Sequence, residues 1–394
     1  MNFPFERNQG PMTRSQLLRR AAVGGAALSL PGLLAACGGG GGIEGQGATT
    51  AATTEVSQEL ADKLVFANWP FYIDVDEETQ ERPSLVQFTQ ETGVEVEYLE
   101  ADLYPFFDLI VITNGPQVDR LIGNGWLTPL DQSALSNFRA HASDLVRDPS
   151  WDPGNRYSVA WQSGLTGIAY RAEAVEALGR EPDSIHDLFD AKLEGRVGMM
   201  MDALDLGSAG LLAIGVEPGT STEDDWRRAA EELRRQRSLG LVRRYYGQSY
   251  LGALRRGDIW ISQAWSGDIF QVQQLGHDLS FVVPQEGAML WTDNMLIPAN
   301  ARHPRDAMTY IDFVYRPDVA AMIADWVWYI SPVPEARRII ARRYGHEDVA
   351  KSPLVFPTEG SLGPTGSMKR YPVFETEEAA EAWRSIFASI AFGL

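Results

Sequence analysis

The chain has 394 residues, 44% of them hydrophobic, a single cysteine and a formal net charge of −19. So acidic a surface repels nucleic acid and anionic lipid headgroups and draws in small cations, so no nucleic-acid partner is expected. The part beyond residue 60, roughly 330 residues, suits two domains better than one.

At the N-terminus, Arg14, Arg19 and Arg20 precede an apolar stretch over 21–36, and Leu34-Ala35-Ala36 lead into Cys37. A charged start, a short apolar core and small residues before a cut are the parts of an export signal. The stretch is too short to span a bilayer as a mature helix. Leu-Ala-Ala-Cys resembles the lipobox of bacterial lipoproteins, whose cysteine is diacylated and becomes the new N-terminus; the plain alternative is a signal peptide with an incidental cysteine. The reading is an export signal peptide over 1–36, then a lipidated Cys37 and flexible tether over 37–60. The mature chain is exported, periplasmic or at the cell surface, and lipid-anchored to a bacterial membrane. Thr13 to Arg19 resembles a twin-arginine motif with Ser15 in place of the second arginine, which leaves the export route open. Removal of 1–36 leaves 30 basic against 52 acidic residues, a net charge of −22. With Cys37 acylated, no cysteine remains for a disulfide, and the core alone must stabilise the fold. The Gly38–Gly42 run and the Gly, Ala, Thr and Gln of 44–54 carry little apolar content and read as a tether.

Beyond residue 60, short apolar runs alternate with helical patterns. Strands are expected at Leu64–Ala67, Val94–Tyr98, Asp108–Ile112, Gly167–Tyr170, Arg196–Met200, Asp258–Trp265, Leu279–Val283 and Asn294–Pro298. Helices are expected at Ser84–Thr92, Ala172–Leu178, Glu223–Ser238, Ala307–Val314, Pro317–Val327 and Glu377–Ala391. Ser221-Thr222 ahead of Glu223 and Trp226 is a capping signature. Such alternation implies an α/β fold with parallel strand pairs and crossover helices.

No constellation for catalysis or metal binding stands out. The five histidines are scattered without an i,i+4 pair, and no Gly-x-Ser-x-Gly elbow occurs. Gly38–Gly42 has no strand before it and no helix after it, so it is not a phosphate loop. The chain therefore reads as a non-enzyme without a cofactor. What does stand out is aromatic residues beside carboxylates at expected strand ends: Asn68-Trp69-Pro70-Phe71-Tyr72, Met201-Asp202-Ala203-Leu204-Asp205, Trp265-Ser266-Gly267-Asp268 and Trp291-Thr292-Asp293-Asn294. In open α/β sheets ligands bind beyond the carboxyl ends of strands, so the four clusters are placed to share one cleft. Such a cleft suits a polyamine: carboxylates match its ammonium groups and indole or phenol faces wall its methylenes. Each cluster also has a structural reading. Trp69 and Trp265 fit a core, Asp202 and Asp205 fit a helix cap, Asp293 fits a crossover backbone, and Phe71 and Asp268 read as structural.

From Leu64 to Pro334 the chain resembles the spermidine/putrescine-binding proteins of bacterial ABC importers. The matching stretches are Asn68 to Asp74, Phe88 to Gly93, Trp161-Gln162-Ser163-Gly164, Trp265 to Asp268, Val283 to Gly287, Trp291 to Met295 and Tyr329 to Pro334. The resemblance implies a two-lobed periplasmic-binding-protein-like fold of type II, with two mixed sheets, flanking helices and a hinged cleft between lobes. Lobe 1 would hold 61–161 plus 293–332, and lobe 2 would hold 162–292 plus 333–394. It implies crossings near Trp161–Gly164, Trp291–Asn294 and Val333–Pro334. It also implies an aromatic wall at Trp69 and Tyr72, a small hydroxyl at Thr113, an acidic pair at Asp202 and Asp205, and a stacking Trp265. Trp291 and Asp293 would clamp the other amine, and Tyr329 would add an aromatic contact. The implied partners are a polyamine and a membrane permease, with the receptor itself a monomer. Two departures fall on the pocket wall of lobe 1 and bear on which ligand fits: a shortened 99–107 segment, and Asn114-Gly115-Pro116 where the family shows an aromatic. Two other readings stay open: the same fold binding another organic cation, an amino-acid derivative or a metal chelate, and a surface-anchored hydrolase using Asp202, Asp205 or Asp293.

Overall fold

The computed structural model describes residues 60–70, 72–100, 107–358, 368–374 and 376–392. The export signal, Cys37 and Phe71 lie outside these, as does 101–106 of the shortened segment. Among the described residues ten strands form: β1 Lys63–Asn68, β2 Glu95–Glu100, β3 Leu109–Thr113, β4 Ser158–Tyr170, β5 Val197–Met200, β6 Val242–Tyr246, β7 Ile261–Trp265, β8 Ser280–Val282, β9 Ala288–Leu296 and β10 Met368–Lys369. The helices are α1 Pro83–Thr92, α2 Pro116–Gly123, α3 Ser136–His141, α4 Ala172–Leu178, α5 Ala203–Ala213, α6 Glu223–Ser238, α7 Tyr250–Arg256, α8 Ser266–Gln274, α9 Pro304–Val314, α10 Pro317–Val327, α11 Ala336–Ile339, α12 Glu347–Lys351 and α13 Glu377–Phe392.

The strand order is β2-β1-β3-β9-β4-β7-β5-β6, with β10 beside β9 and β8 beside β4. Pairing is parallel within β2-β1-β3 and within β7-β5-β6, and antiparallel where β9 and β4 join them. The two mixed sheets implied by the sequence are thus the two ends of one ladder. β4 and β9 connect them because they are long: all 13 residues of β4 and all nine of β9 are buried. The expected crossings at Trp161–Gly164 and Trp291–Asn294 lie inside these two strands. That corrects one reading, since Trp291–Asn294 does not lead into a strand but sits in the middle of β9.

Helices cover both ends. In the first, α9 and α10 pack with α1 beneath β1, and Phe66, Phe88, Trp161 and Tyr310 interlock through edge-on and tilted ring contacts. In the second, α5 and α6 pack together, and α13 lies across both, with Trp383 and Phe387 against Gly207 of α5. A Cβ on Gly207 would approach Trp383 to 2.4 Å, so the close crossing requires glycine there. Thr222 and Asp225 make the capping box that starts α6.

The two ends touch. Gly115, with φ of +134°, lies where an added Cβ would meet Leu204 Cδ1 at 2.9 Å, and Gln271 Nε2 donates to the Val327 carbonyl at 3.1 Å. Asn114 explains part of the departure on this wall: its side-chain oxygen accepts from Thr292 N–H at 2.8 Å and extends the β3–β9 ladder past Thr113. Asn114-Gly115-Pro116 thus closes the ladder and starts α2 directly, at a backbone conformation that favours glycine.

Candidate binding cleft

β3 and β9 pair Thr113 with Asp293, and the Thr113 hydroxyl donates to Asp293 Oδ1 at 2.5 Å. The Tyr72 side chain lies beside this carboxylate; its hydroxyl has no hydrogen bond of good geometry among the described residues. Trp161 Nε1–H donates to the Tyr72 carbonyl at 3.1 Å and fixes that backbone. The Tyr72 ring meets Tyr329 edge-on at 5.5 Å, and Tyr329 meets Trp291 at 5.3 Å. Glycines make room for both larger rings: a Cβ on Gly164 would fall 2.3 Å from Trp291, and one on Gly267 would fall 2.5 Å from Tyr329. The glycines of the Trp-Gln-Ser-Gly and Trp-Ser-Gly-Asp stretches thus serve as seats for aromatic walls.

The second cluster comes from β5, β7 and their following helices. Asp202 is the N-cap of α5 and accepts from Leu204 N–H and Asp205 N–H, so the helix-cap reading is correct for it. Its carboxylate is exposed to solvent yet enclosed by enough protein that desolvation raises its pKa, as on a cleft wall. Asp205 is buried and accepts from Trp265 Nε1–H at 3.0 Å and from the Tyr371 hydroxyl. Trp265 is half-buried at the end of β7 and also orients Asp205.

Asp268 joins the two clusters. It accepts from the Tyr329 hydroxyl at 2.7 Å and from the Tyr250 hydroxyl at 2.9 Å, and Tyr250 in turn accepts from Trp265 N–H. Hydrogen bonds and ring contacts therefore run without a break from Asp205 through Trp265, Tyr250, Asp268 and Tyr329 to Tyr72, beside Asp293. Asp268, read as structural from the sequence, is a buried carboxylate that ties the Tyr329 wall to α8. Sequence reasoning missed Tyr250 and Tyr371. The Trp-Ser-Gly-Asp stretch itself carried the signal for Asp268, whereas nothing local marks the other two. Trp69 is 40% exposed at the end of β1 and makes no ring contact with this group among the described residues, so it belongs neither to the core nor to the ring cluster.

Electrostatics set the cleft's chemistry. Among the described residues, none of Asp202, Asp205, Asp268 and Asp293 has an ion pair with a Lys, Arg or His. Burial pushes Asp293 up to about 6, against the hydrogen bond from Thr113 and the nearby Tyr72 hydroxyl. Burial and then the charge of Asp202 push Asp205 to about 6, against Tyr371, Thr166 and Trp265. Burial also raises Asp268, against Tyr329 and Tyr250. Three desolvated carboxyls held by neutral donors amid aromatic faces attract a compact cation and offer it charged hydrogen bonds. No group of three or more His, Cys, Asp or Glu is placed for a metal ion among the described residues. A surface cavity of about 540 Å³ lined by Phe270, Phe281, Val283, Lys351, Pro353 and Leu354 shares none of these side chains and none of their chemistry.

The sign of the pH dependence follows. Asp205 and Asp293 titrate near 3.8 when unperturbed and near 6 when folded. Between those values the folded state binds more protons, so their contribution to stability is full at low pH and is lost as pH rises through about 6. Chemical denaturation of the ligand-free protein is expected to show this fall, and Asp293→Asn to flatten it and stabilise the protein at about pH 7. A variant less stable than the parent at that pH would contradict the assignment.

Comparison with known proteins bears on the family and the fold. A spermidine/putrescine-binding periplasmic protein of Salmonella typhimurium is 28% identical over 308 residues, 75% of this chain and 83% of the relative. A putrescine/cadaverine-binding protein of Pseudomonas aeruginosa is 29% identical over 275 residues, 64% of this chain and 75% of the relative. The solved spermidine/putrescine ABC transporter substrate-binding protein of Streptococcus pneumoniae superposes with a TM-score of 0.70 at 22% identity, covering 84% of this chain and 99% of that one. The solved Atu4243–GABA receptor superposes with a TM-score of 0.62 at 18% identity, covering 82% of this chain and 97% of that one, a likeness of fold. The resemblance drawn from the motifs and the expected α/β periplasmic-binding-protein-like fold are borne out. Residues 85–357 match the model of a single family, and the chain belongs to it: the bacterial extracellular solute-binding proteins.

Proposed function

We propose that this chain is the substrate-binding receptor of an ABC importer that captures spermidine or putrescine between two lobes and delivers it to a membrane permease. One observation carries the reading: Asp205, Asp268 and Asp293 are buried, lack a cationic partner among the described residues, and are bracketed by Tyr72, Trp265, Trp291 and Tyr329. Asp293, with Thr113 and Tyr72, receives one ammonium; Asp202 and Asp205 receive the other; the ring faces take the methylenes, with Trp69 at the rim. Charged hydrogen bonds contribute about 1.5–3 kcal/mol each and desolvated cation–π contacts about 0.5–2 kcal/mol. A few of each reach micromolar affinity, about −8 kcal/mol. The names of the relatives in Salmonella and Pseudomonas support the substrate class.

The lobes are 61–161 plus 293–332 and 162–292 plus 333–394, hinged along β4 and β9. Ligand favours closure because it touches both lobes only when they are shut. The closeness of Gly115 to Leu204 and the bond from Tyr329 to Asp268 cross between the proposed lobes and support a shut arrangement. No covalent step is involved, and no observation favours the hydrolase reading. The mature protein is a monomer held outside the cytoplasmic membrane by acyl chains on Cys37, a reading supported by the Leu34-Ala35-Ala36-Cys37 motif.

Asp293→Asn is expected to weaken putrescine or spermidine binding by about 1.5–3 kcal/mol in calorimetry, and unchanged affinity would remove Asp293 from the site. A thermal-shift panel of polyamines, γ-aminobutyrate and other small cations tests the ligand class: a polyamine should raise the melting temperature most. Both polyamines failing while another solute succeeds would transfer the fold to that ligand. Cys37→Ser should move the expressed protein from the membrane fraction to the soluble one; retention in membranes would contradict the lipid anchor.

A further inference from the structure

The C-terminal segment does something the motifs do not explain. α13 is fixed to the β5–β7 end of the sheet: Trp383 Nε1–H donates to the Ala203 carbonyl at 3.0 Å, and Arg237 Nη1 donates to the Ile390 carbonyl. The stretch before it reaches the other end. β10 pairs with the start of β9, and Lys369 meets Glu217 at 2.8 Å. Arg370 then sits over Trp151 at 5.8 Å, and Trp151 packs with Ala67, Ile110 and Ile112 of β1 and β3. Tyr371 donates to Asp205. Phe374 N–H donates to Asp119 Oδ2 of α2 at 3.3 Å, while the Phe374 ring packs on Trp226 and Trp383. Glu377 meets Arg120 of α2 at 3.3 Å.

We propose that residues 368–374 and the first turn of α13 are an interlobe latch, with Tyr371 as a positioning residue that couples it to Asp205. The proposal rests on the reading of the cleft as the ligand site. The latch crosses beside the point where Gly115 and Leu204 meet. When α2 swings away from α5, the bonds from Asp119 and Arg120 must break, because α13 stays with α5 and α6. The latch is easily released. The Arg120–Glu377 pair is exposed and adds little. Asp119 is desolvated in the shut form, so opening returns its carboxylate to water while it gives up one backbone hydrogen bond. Ligand therefore decides the balance, and Tyr371, three residues from Phe374, transmits the position of Asp205 to the latch.

Two substitutions at one position separate this role from simple structural support. Asp119→Asn keeps an oxygen acceptor for Phe374 N–H and removes the buried charge, so it should favour the shut form. Asp119→Ala removes the acceptor as well as the charge, so relative to Asp119→Asn it should favour the open form. Small-angle X-ray scattering on the mature, ligand-free protein is expected to show a larger radius of gyration for Asp119→Ala than for Asp119→Asn, whose radius should not exceed the parent's. That measurement needs no ligand, so it stands even if the polyamine reading fails. Stopped-flow release of putrescine should be about 2- to 10-fold faster in Asp119→Ala than in Asp119→Asn. Tyr371→Phe should speed release by a similar factor without changing the ligand-free radius. Equal radii and equal release rates for both Asp119 variants, with cooperative unfolding retained, would overturn the latch. Faster release in Asp119→Ala than in Asp119→Asn with equal radii would also overturn it.

Discussion

The fold carries an electrostatic load at its centre. Asp205, Asp268 and Asp293 are each more than nine-tenths buried, and their partners are hydroxyls and an indole N–H rather than cations. A desolvated carboxylate without a counter-charge costs folding energy, and neutral hydrogen bonds recover only part of it. Retaining three of them makes physical sense where a cation from outside completes the site. Under the proposed reading the same groups weaken the empty protein and bind its guest, so affinity and stability are opposed at the same atoms.

That load dictates much of the surrounding architecture. β4 and β9 are buried along their whole length and pass through both ends of the ladder. They deliver Trp291 and Asp293 to the middle of the molecule, where neither end alone forms a site. Gly164 and Gly267 give up side chains so that Trp291 and Tyr329 lie flat against backbone. Tyr72, Tyr329 and Trp291 pack ring to ring beside the buried carboxyls, and a low-dielectric setting strengthens the hydrogen bonds made there. The C-terminal segment closes the Asp205 end through Tyr371 and reaches across to α2, so the last part of the chain touches both the site and the seam.

Much of this was legible before any coordinates. Strands and helices with clean periodicity appear where expected, to within a few residues, because alternating burial and amphipathic faces leave direct marks. The first half of β4 left no such mark: Ser158 to Thr166 is buried on both faces, and Trp161-Gln162-Ser163-Gly164 has no period. β6 was hidden by Arg243 and Arg244, charges that suit an exposed edge strand but read as loop. β10 is too short to signal itself. At the site, Trp265, Asp205, Tyr72, Trp291, Tyr329, Thr113 and Asp293 come together as the motifs implied. Asp268 was read as structural, and its bonds from Tyr329 and Tyr250 fit that reading. Tyr371 was invisible because its role depends on the chain returning from residue 357 onward to a sheet it had already left.

The central claim is that the buried carboxyls change protonation when a cation arrives. Calorimetric titration with putrescine at about pH 6, in buffers of differing ionisation enthalpy, measures this directly. Asp205 and Asp293, each about half-protonated there, should drop in pKa as the ammonium groups bind, and protons should be released to the buffer. Binding without proton release, or no binding at all, would contradict the account.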